Sequence, residues 1–222
     1  MAARQRFSGA DEFLPGRCSI DALRRAATDC RGCDLYENAT QTVFGAGPGS
    51  ARLVLVGEQP GDVEDRRGEP FVGPAGKLLD RALEAAGLPR SDTYLTNAVK
   101  HFRWKPAPRG ERRIHQKPDV AHITACHPWL AAELATIAPD GIVALGATAA
   151  QALLGSAFRL TAHRGEILDW PPVTGPFAES DTPVQFVVAT LHPSAVLRAQ
   201  GEDRDTMFAG LVDDLRRASQ AA

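Results

Sequence analysis

Four short runs along the chain are apolar at nearly every position: "RLVLVGE" (52–58), "TYLTNAV" (93–99), "GIVALG" (141–146) and "VQFVVATLH" (184–192). A strand with one wet face would alternate, so continuous runs predict strands covered on both faces. Between them the period changes to that of helices. "AGKLLDRALEAAG" stops at Gly87, a C-cap residue, and "DVAHITACHPWLAAELATI" opens on Asp119. "ATAAQALLG" follows the third run directly, "DTMFAGLVDDLRRASQ" closes the chain, and a shorter helical pattern, "IDALRRAATD", precedes the first run. Alternating strand and helix predicts an α/β fold: a three-layer α/β/α sandwich around a central, mainly parallel, four-stranded sheet. "DWPPVTGPFAESDTP" reads as a Pro/Gly-rich surface connection. A single domain over 1–222 is expected, with 1–29 as an N-terminal extension and short helix.

Open parallel sheets bind ligands beyond the carboxyl ends of their strands. The first run ends in "GEQPGD", the second in "TNAVKH" and the fourth in "TLHPS". Glu58, Gln59, Asn97, His101 and His192 are therefore expected on one rim. One polar residue at a strand end is ordinary; three polar strand ends on one rim predict a cleft.

Composition narrows the class. The 222 residues are 44% hydrophobic and 23% charged, as in ordinary globular proteins. No apolar run reaches the roughly 18 residues of a membrane span, and the N-terminus lacks the apolar core of a secretion signal, so a cytoplasmic protein with no membrane partner is expected. The net charge of −2 hides an asymmetry: residues 100–117 hold seven Lys/Arg against one acid, net +6, and the remainder carries −8. An acidic body with one basic segment points to a localised polyanion contact, or more blandly to a solvated loop.

Cys30 and Cys33 form "CRGC", and Cys126 lies in a predicted helix. A thioredoxin-type pair opens a helix after a strand; this one follows a helix, which argues for a metal or cluster site. Its fourth ligand would be Cys18 or His101, and spacing alone leaves structural zinc open. "GAGPGS" (45–50) precedes a strand, so it fails as a dinucleotide loop.

Taken together, "GEQPGD", "GEPFVGPAGKLLD", "YLTNAVK", a Cys before "HPWLAAEL", "IVALGATAAQALLG" and "ATLHPSAVLR" resemble the iron–sulfur uracil-DNA glycosylases of family 4, in order from about Cys30 to about Arg198. Two departures stand out. Lys100-His101 replaces the family's Lys-Cys, and a longer basic loop (100–118) carrying "ERRIH" is inserted before Cys126. With Gln59 in "GEQPG", both resemble the UdgX branch, whose members bond covalently to uracil-DNA. The resemblance implies a [4Fe–4S] cluster on Cys30, Cys33, His101 and Cys126, with Cys18 as a fallback.

It also implies roles in base excision from an extruded nucleotide. Phe71 would stack on uracil, Asn97 would read its imide edge, and Gln59 is assigned to the same pocket. His192 would hydrogen-bond uracil O2 as the base departs. Glu58 would stabilise the sugar cation or accept a proton. His115 would attack C1′, trapping the enzyme on the abasic sugar. Arg112, Arg113, Ser194 and Arg198 would meet the DNA backbone, and Val196 or Leu197 would wedge into the vacated stack. The expected partner is uracil-containing DNA, single-stranded with duplex left open, bound by a monomer. The alternatives are a glycosylase of family 4 that turns over, and a non-catalytic binder of uracil-containing or abasic DNA.

Overall fold

The computed structural model describes residues 7–222. The four apolar runs become β1 (Leu53–Gly57), β2 (Thr93–Asn97), β5 (Gly141–Leu145) and β7 (Phe186–Thr190), every residue of them buried. They pair in parallel in the order β2-β1-β5-β7, and a further strand joins beyond β7. The sheet thus has five strands, not four. The addition, β6 (Ile167–Asp169), runs antiparallel along β7 at the edge. Three residues are too few to show a period, so composition could not mark it.

Because both faces are covered, alternate strand residues enter opposite cores. Val54, Val56, Ile142, Ala144 and Val187 meet α4 (Val120–Ile137) and α5 (Ala147–Leu154) on one side. Leu53, Leu55, Val143, Leu145 and Val188 meet α3 (Pro74–Ala86) and α8 (Gly201–Ala221) on the other. A third cluster, around Leu23, Phe44, Cys126 and Trp129, packs α1 (Ile20–Ala27) against α4. Gly87 caps α3 in the left-handed conformation, φ 73°, as the sequence predicts.

The basic segment is a β-hairpin, not an irregular loop. Its strands β3 (Trp104–Pro106) and β4 (Arg113–His115) pair antiparallel, with His115 opposite Trp104. Short helices α2 (Asp62–Arg67), α6 (Leu160–His163) and α7 (Pro193–Arg198) complete the chain. The expected surface connection at 169–183 buries Trp170 and Phe177. Of the N-terminal extension, 1–6 lie outside the described residues. No helix of the described residues is long and apolar enough to cross a membrane.

Candidate active site

Strand order reverses around β1: β2 lies on one side and β5 on the other. Over the carboxyl ends at that point opens a cleft of about 630 Å³, lined among others by Glu58, Gln59, Phe71, Asn97, His115, His192, Ser194 and Arg198. Four of the five strand-end residues expected on one rim are there. His101 is not. After β2 the chain is tied back to β1 by Ala98 N–H on Gly57 O (2.9 Å) and Val99 N–H on Glu58 O (3.0 Å). That turn carries the His101 ring away from the cleft to Thr42 Oγ1, 2.9 Å off.

His192 is fixed in one tautomer. Its Nδ1 accepts the Ser194 backbone N–H at 3.1 Å, with Ser194 Oγ 2.7 Å away. A nitrogen that accepts from an amide carries no proton, so the neutral ring bears it on Nε2. Burial, then Arg198 and His115, pushes the ring's pKa down to about 4. His192 is therefore a neutral donor at pH 7, and no described residue accepts its Nε2–H.

Phe71 and Asn97 meet beside Gly57. A side chain at Gly57 would strike both the Asn97 amide oxygen and the tip of the Phe71 ring. Phe71 sits at φ 55°, a conformation that costs about 1–3 kcal/mol in a non-glycine residue and clusters at functional sites. Arg90 holds it there, donating to its carbonyl at 3.1 Å and to that of Pro70 at 3.0 Å. Asn97 is buried, yet its amide makes no hydrogen bond among the described residues.

Across the cleft, His115 Nε2 lies 3.3 Å from Glu58 Oε1, with side chains 50% and 19% exposed. Burial lowers the His115 pKa, Glu58 opposes that shift, and Arg198 reinforces it. The ring reaches this place because its hairpin is fastened at two points. Gln59 grips one, accepting from Arg103 N–H (3.0 Å) and donating to Arg103 O (3.2 Å) and Gln116 O (3.0 Å). Arg113 grips the other: its guanidinium pairs with Asp62 and, at 2.6 Å, with Asp65, and lies 5.3 Å from the ring centres of both Phe102 and Trp104.

These contacts correct three expectations. The Gln59 amide is spent on the hairpin, not offered to a base. The Arg113 side chain, 9% exposed, is neutralised by the body's own acids and not free for phosphate. Val196 is wholly buried in the core beneath α7 and cannot wedge, and Leu197 packs against the same core. Arg112 and Arg198 do stay exposed, whereas Ser194 Oγ sits between His192 and Arg198 Nη1 (3.3 Å).

The chain matches the family model of the uracil DNA glycosylase superfamily over residues 44–216. A type-4 uracil-DNA glycosylase of Thermotoga maritima is 38% identical over 200 residues, 90% of this chain and 92% of that one. Another from Sulfurisphaera tokodaii is 34% identical over 81% of this chain and 76% of its own, and one from Archaeoglobus fulgidus 41% over 60% and 62%. The chain belongs to the uracil-DNA glycosylase superfamily.

In this superfamily member the cysteines lie apart from the cleft. Cys30 and Cys126 are buried and Cys33 half-buried; Trp129 Nε1–H donates to Cys30 Sγ at 3.2 Å and Lys100 N–H to Cys126 Sγ at 3.3 Å. Burial pushes the thiols of Cys33 and Cys126 up to about 11 and about 12. Burial also takes His101 down to about 4, leaving a neutral imidazole. Cys18 is exposed, beside Pro15 O. Among the described residues, no three His, Cys, Asp or Glu side chains converge in the geometry of a metal-ion site.

Sequence reading assigns no role in the cleft to three of its polar residues. Glu64, buried, accepts Gly73 N–H at 2.8 Å and so sets the start of α3. Thr148 lies in the first turn of α5, and Lys117 lies on the hairpin side. Glu64 sits in "DVEDRR", which reads as any solvated helix; only the flanking glycines hinted at a close approach.

Proposed function

We propose that this protein is a uracil-DNA glycosylase that excises uracil and then captures the abasic sugar through His115, as the UdgX resemblance implies. One observation carries the second half: an imidazole kept neutral at pH 7 faces Glu58 across the cleft, 3.3 Å away, where a glycosylase that turned over would need water.

The extruded base enters between Phe71, which stacks on it, and Asn97, whose unspent amide reads its imide edge. The C1′–N1 bond breaks, and its electron pair leaves with uracil. The Nε2–H of His192 donates to O2 of the departing anion; such donors contribute most where charge develops. Glu58 stabilises the cationic sugar. As the Nε2–C1′ bond forms, the His115 Nε2 proton passes to Glu58, 3.3 Å away. The product is a neutral glycosyl-imidazole without an easy leaving group. Arg112 and Arg198 take phosphates, and the first-turn amides of α5 with Thr148 offer a further phosphate contact.

We further propose that Cys30, Cys33, Cys126 and His101 hold a [4Fe–4S] cluster. Two of the sulfurs already accept N–H donors, as cluster sulfurs do, and buried thiols of such high pKa need bound cations to ionise. A neutral His101 is the protonation state a ligand needs, once it leaves Thr42. Such a cluster supplies structural cross-linking; the excision steps above use only side chains of the cleft.

The reading is tested on single-stranded uracil-containing DNA, with a denaturing gel and a uracil-release assay run together. A denaturant-resistant shifted band and one equivalent of uracil per protein are expected. Repeated release without a band would leave a conventional family 4 enzyme, and neither product would leave a binder.

A further inference from the structure

Lys100 and Glu133 are 1% and 0% exposed, an ion pair closed inside the protein. Such a pair seldom adds stability over an apolar pair of the same shape, so stability alone does not account for it. The ammonium donates to Glu133, to Thr96 Oγ1 at 2.7 Å and to Asn97 O at 2.8 Å, which uses all three of its protons. Glu133 accepts in turn from Tyr94 OH at 2.9 Å and from Thr96 Oγ1 at 3.0 Å. Gly45 makes the space: a side chain there would strike both Glu133 and Tyr94.

The partners are not scattered. Thr96 and Asn97 are the last residues of β2, where the ladder ends and register no longer fixes the backbone. The peptide group that follows Asn97 is held from both sides, its N–H (Ala98) by Gly57 O and its carbonyl by Lys100. Anchoring that peptide plane pins the Asn97 Cα–C bond, and with the strand fixing the N–Cα side this determines where Cβ and the amide enter the cleft.

We propose that Lys100, held by Glu133, is a positioning residue that aims Asn97 at the base. The inference rests on the reading of Asn97 as the uracil reader. A misplacement of about 1 Å is enough to cost about 100-fold in rate.

The test is the pair Lys100→Met with Glu133→Gln, which removes both charges at nearly constant volume. The doubly substituted protein should unfold no earlier than the parent on heating. Its single-turnover release of uracil should fall roughly 10- to 100-fold, and free uracil should inhibit it correspondingly less, as for a weakened polar reader. Affinity for uracil-free DNA of the same sequence should not change, because the rim and hairpin cations are untouched; a merely structural defect would move it too. Thr96→Val, which deletes one hydroxyl and no charge, should shift the same two readouts in the same direction, and it decides the matter if the double substitution does not fold. Parental rate and uracil inhibition in a folded variant would overturn the proposal. Asn97→Ala runs alongside: if it too keeps parental values, the reading of Asn97 falls and this inference with it, whereas loss there with none in the Lys100 variants overturns this inference alone.

Discussion

The two walls of the cleft are built by different physics. Glu58, Asn97 and His192 stand at the ends of strands whose every residue is buried, so the hydrophobic effect that forms the sheet also places them. The opposite wall is a hairpin of two three-residue strands with exposed or half-buried side chains, which alone would be marginal in water. It is positioned by polar contacts, the Gln59 amide at one point and the Arg113 fork at another. The rim is rigid because it is core; the hairpin is rigid only while a few hydrogen bonds hold. If excision belongs to the rim and capture to the hairpin, the two activities should separate under mutation.

The largest separation is expected at His115. His115→Ala should abolish the denaturant-resistant band while uracil release continues, now with turnover, because the vacated space admits water at C1′. A full-strength band from this variant would remove His115 from the chemistry. His192→Ala attacks the other wall and should depress both products together by about 10²–10³-fold in single-turnover rate, the usual cost of one preorganised donor; loss of the band with unimpaired release would sink the division of labour. The same residue leaves a mark on stability. Its pKa is about 4 in the folded protein and about 6.5 unfolded, so between these values the folded state binds fewer protons, and stability falls as pH drops through that window. Parent and His192→Gln, compared by urea unfolding at pH 7 and pH 5, should differ by about 2 kcal/mol in how much they lose, the parent losing more.

Next in size is the clamp. Arg113→Lys keeps the charge but not the two-pronged geometry that spans Asp62 and Asp65. Adduct formation should slow about tenfold, the scale of one charge-assisted hydrogen bond, and uracil release should change by less than about twofold. Equal slowing of both would mean that the hairpin supports excision as well as capture.

The same contrast explains what was legible in the sequence. Continuous apolar runs and the strand-end rule placed the sheet, both helical layers, Glu58, Asn97 and His192. Motif likeness added Phe71 and His115, though not the left-handed backbone that aims Phe71. What escaped was whatever depends on side chain to backbone bonds between distant segments. Nothing in "GEQPG" shows that the Gln59 amide reaches Arg103 and Gln116, 44 and 57 positions away. The His101 misplacement has the same origin: a turn of four residues decides which side of the sheet a ring reaches, and periodicity is silent about turns. Motif likeness puts a wedge at Val196 or Leu197, but α7 turns Val196 inward and packs Leu197 against the same core.

The smallest effect concerns DNA, and it also corrects the charge count. Seven cations in residues 100–117 suggested a +6 surface. Three of them are engaged: Lys100 with Glu133, Arg103 with Asp119, and Arg113 with Asp62 and Asp65. Lys105, Arg109, Arg112 and Lys117 remain exposed. Each phosphate contact contributes about 0.9 to the slope of log affinity against log salt on duplex DNA and about 0.7 on single strands. Arg112→Ala should therefore weaken binding to uracil-free single-stranded DNA modestly and flatten that slope by about 0.7, if it makes one contact. Arg113→Gln, which removes the charge, should leave the slope where it was, because Asp62 and Asp65 already neutralise Arg113 inside the protein. Equilibrium binding across a salt series, with both variants beside the parent, reads the difference. A flattened slope for Arg113→Gln and an unchanged one for Arg112→Ala would reverse the assignment: the buried fork would be the DNA contact, and the clamp described above would have to open when DNA binds.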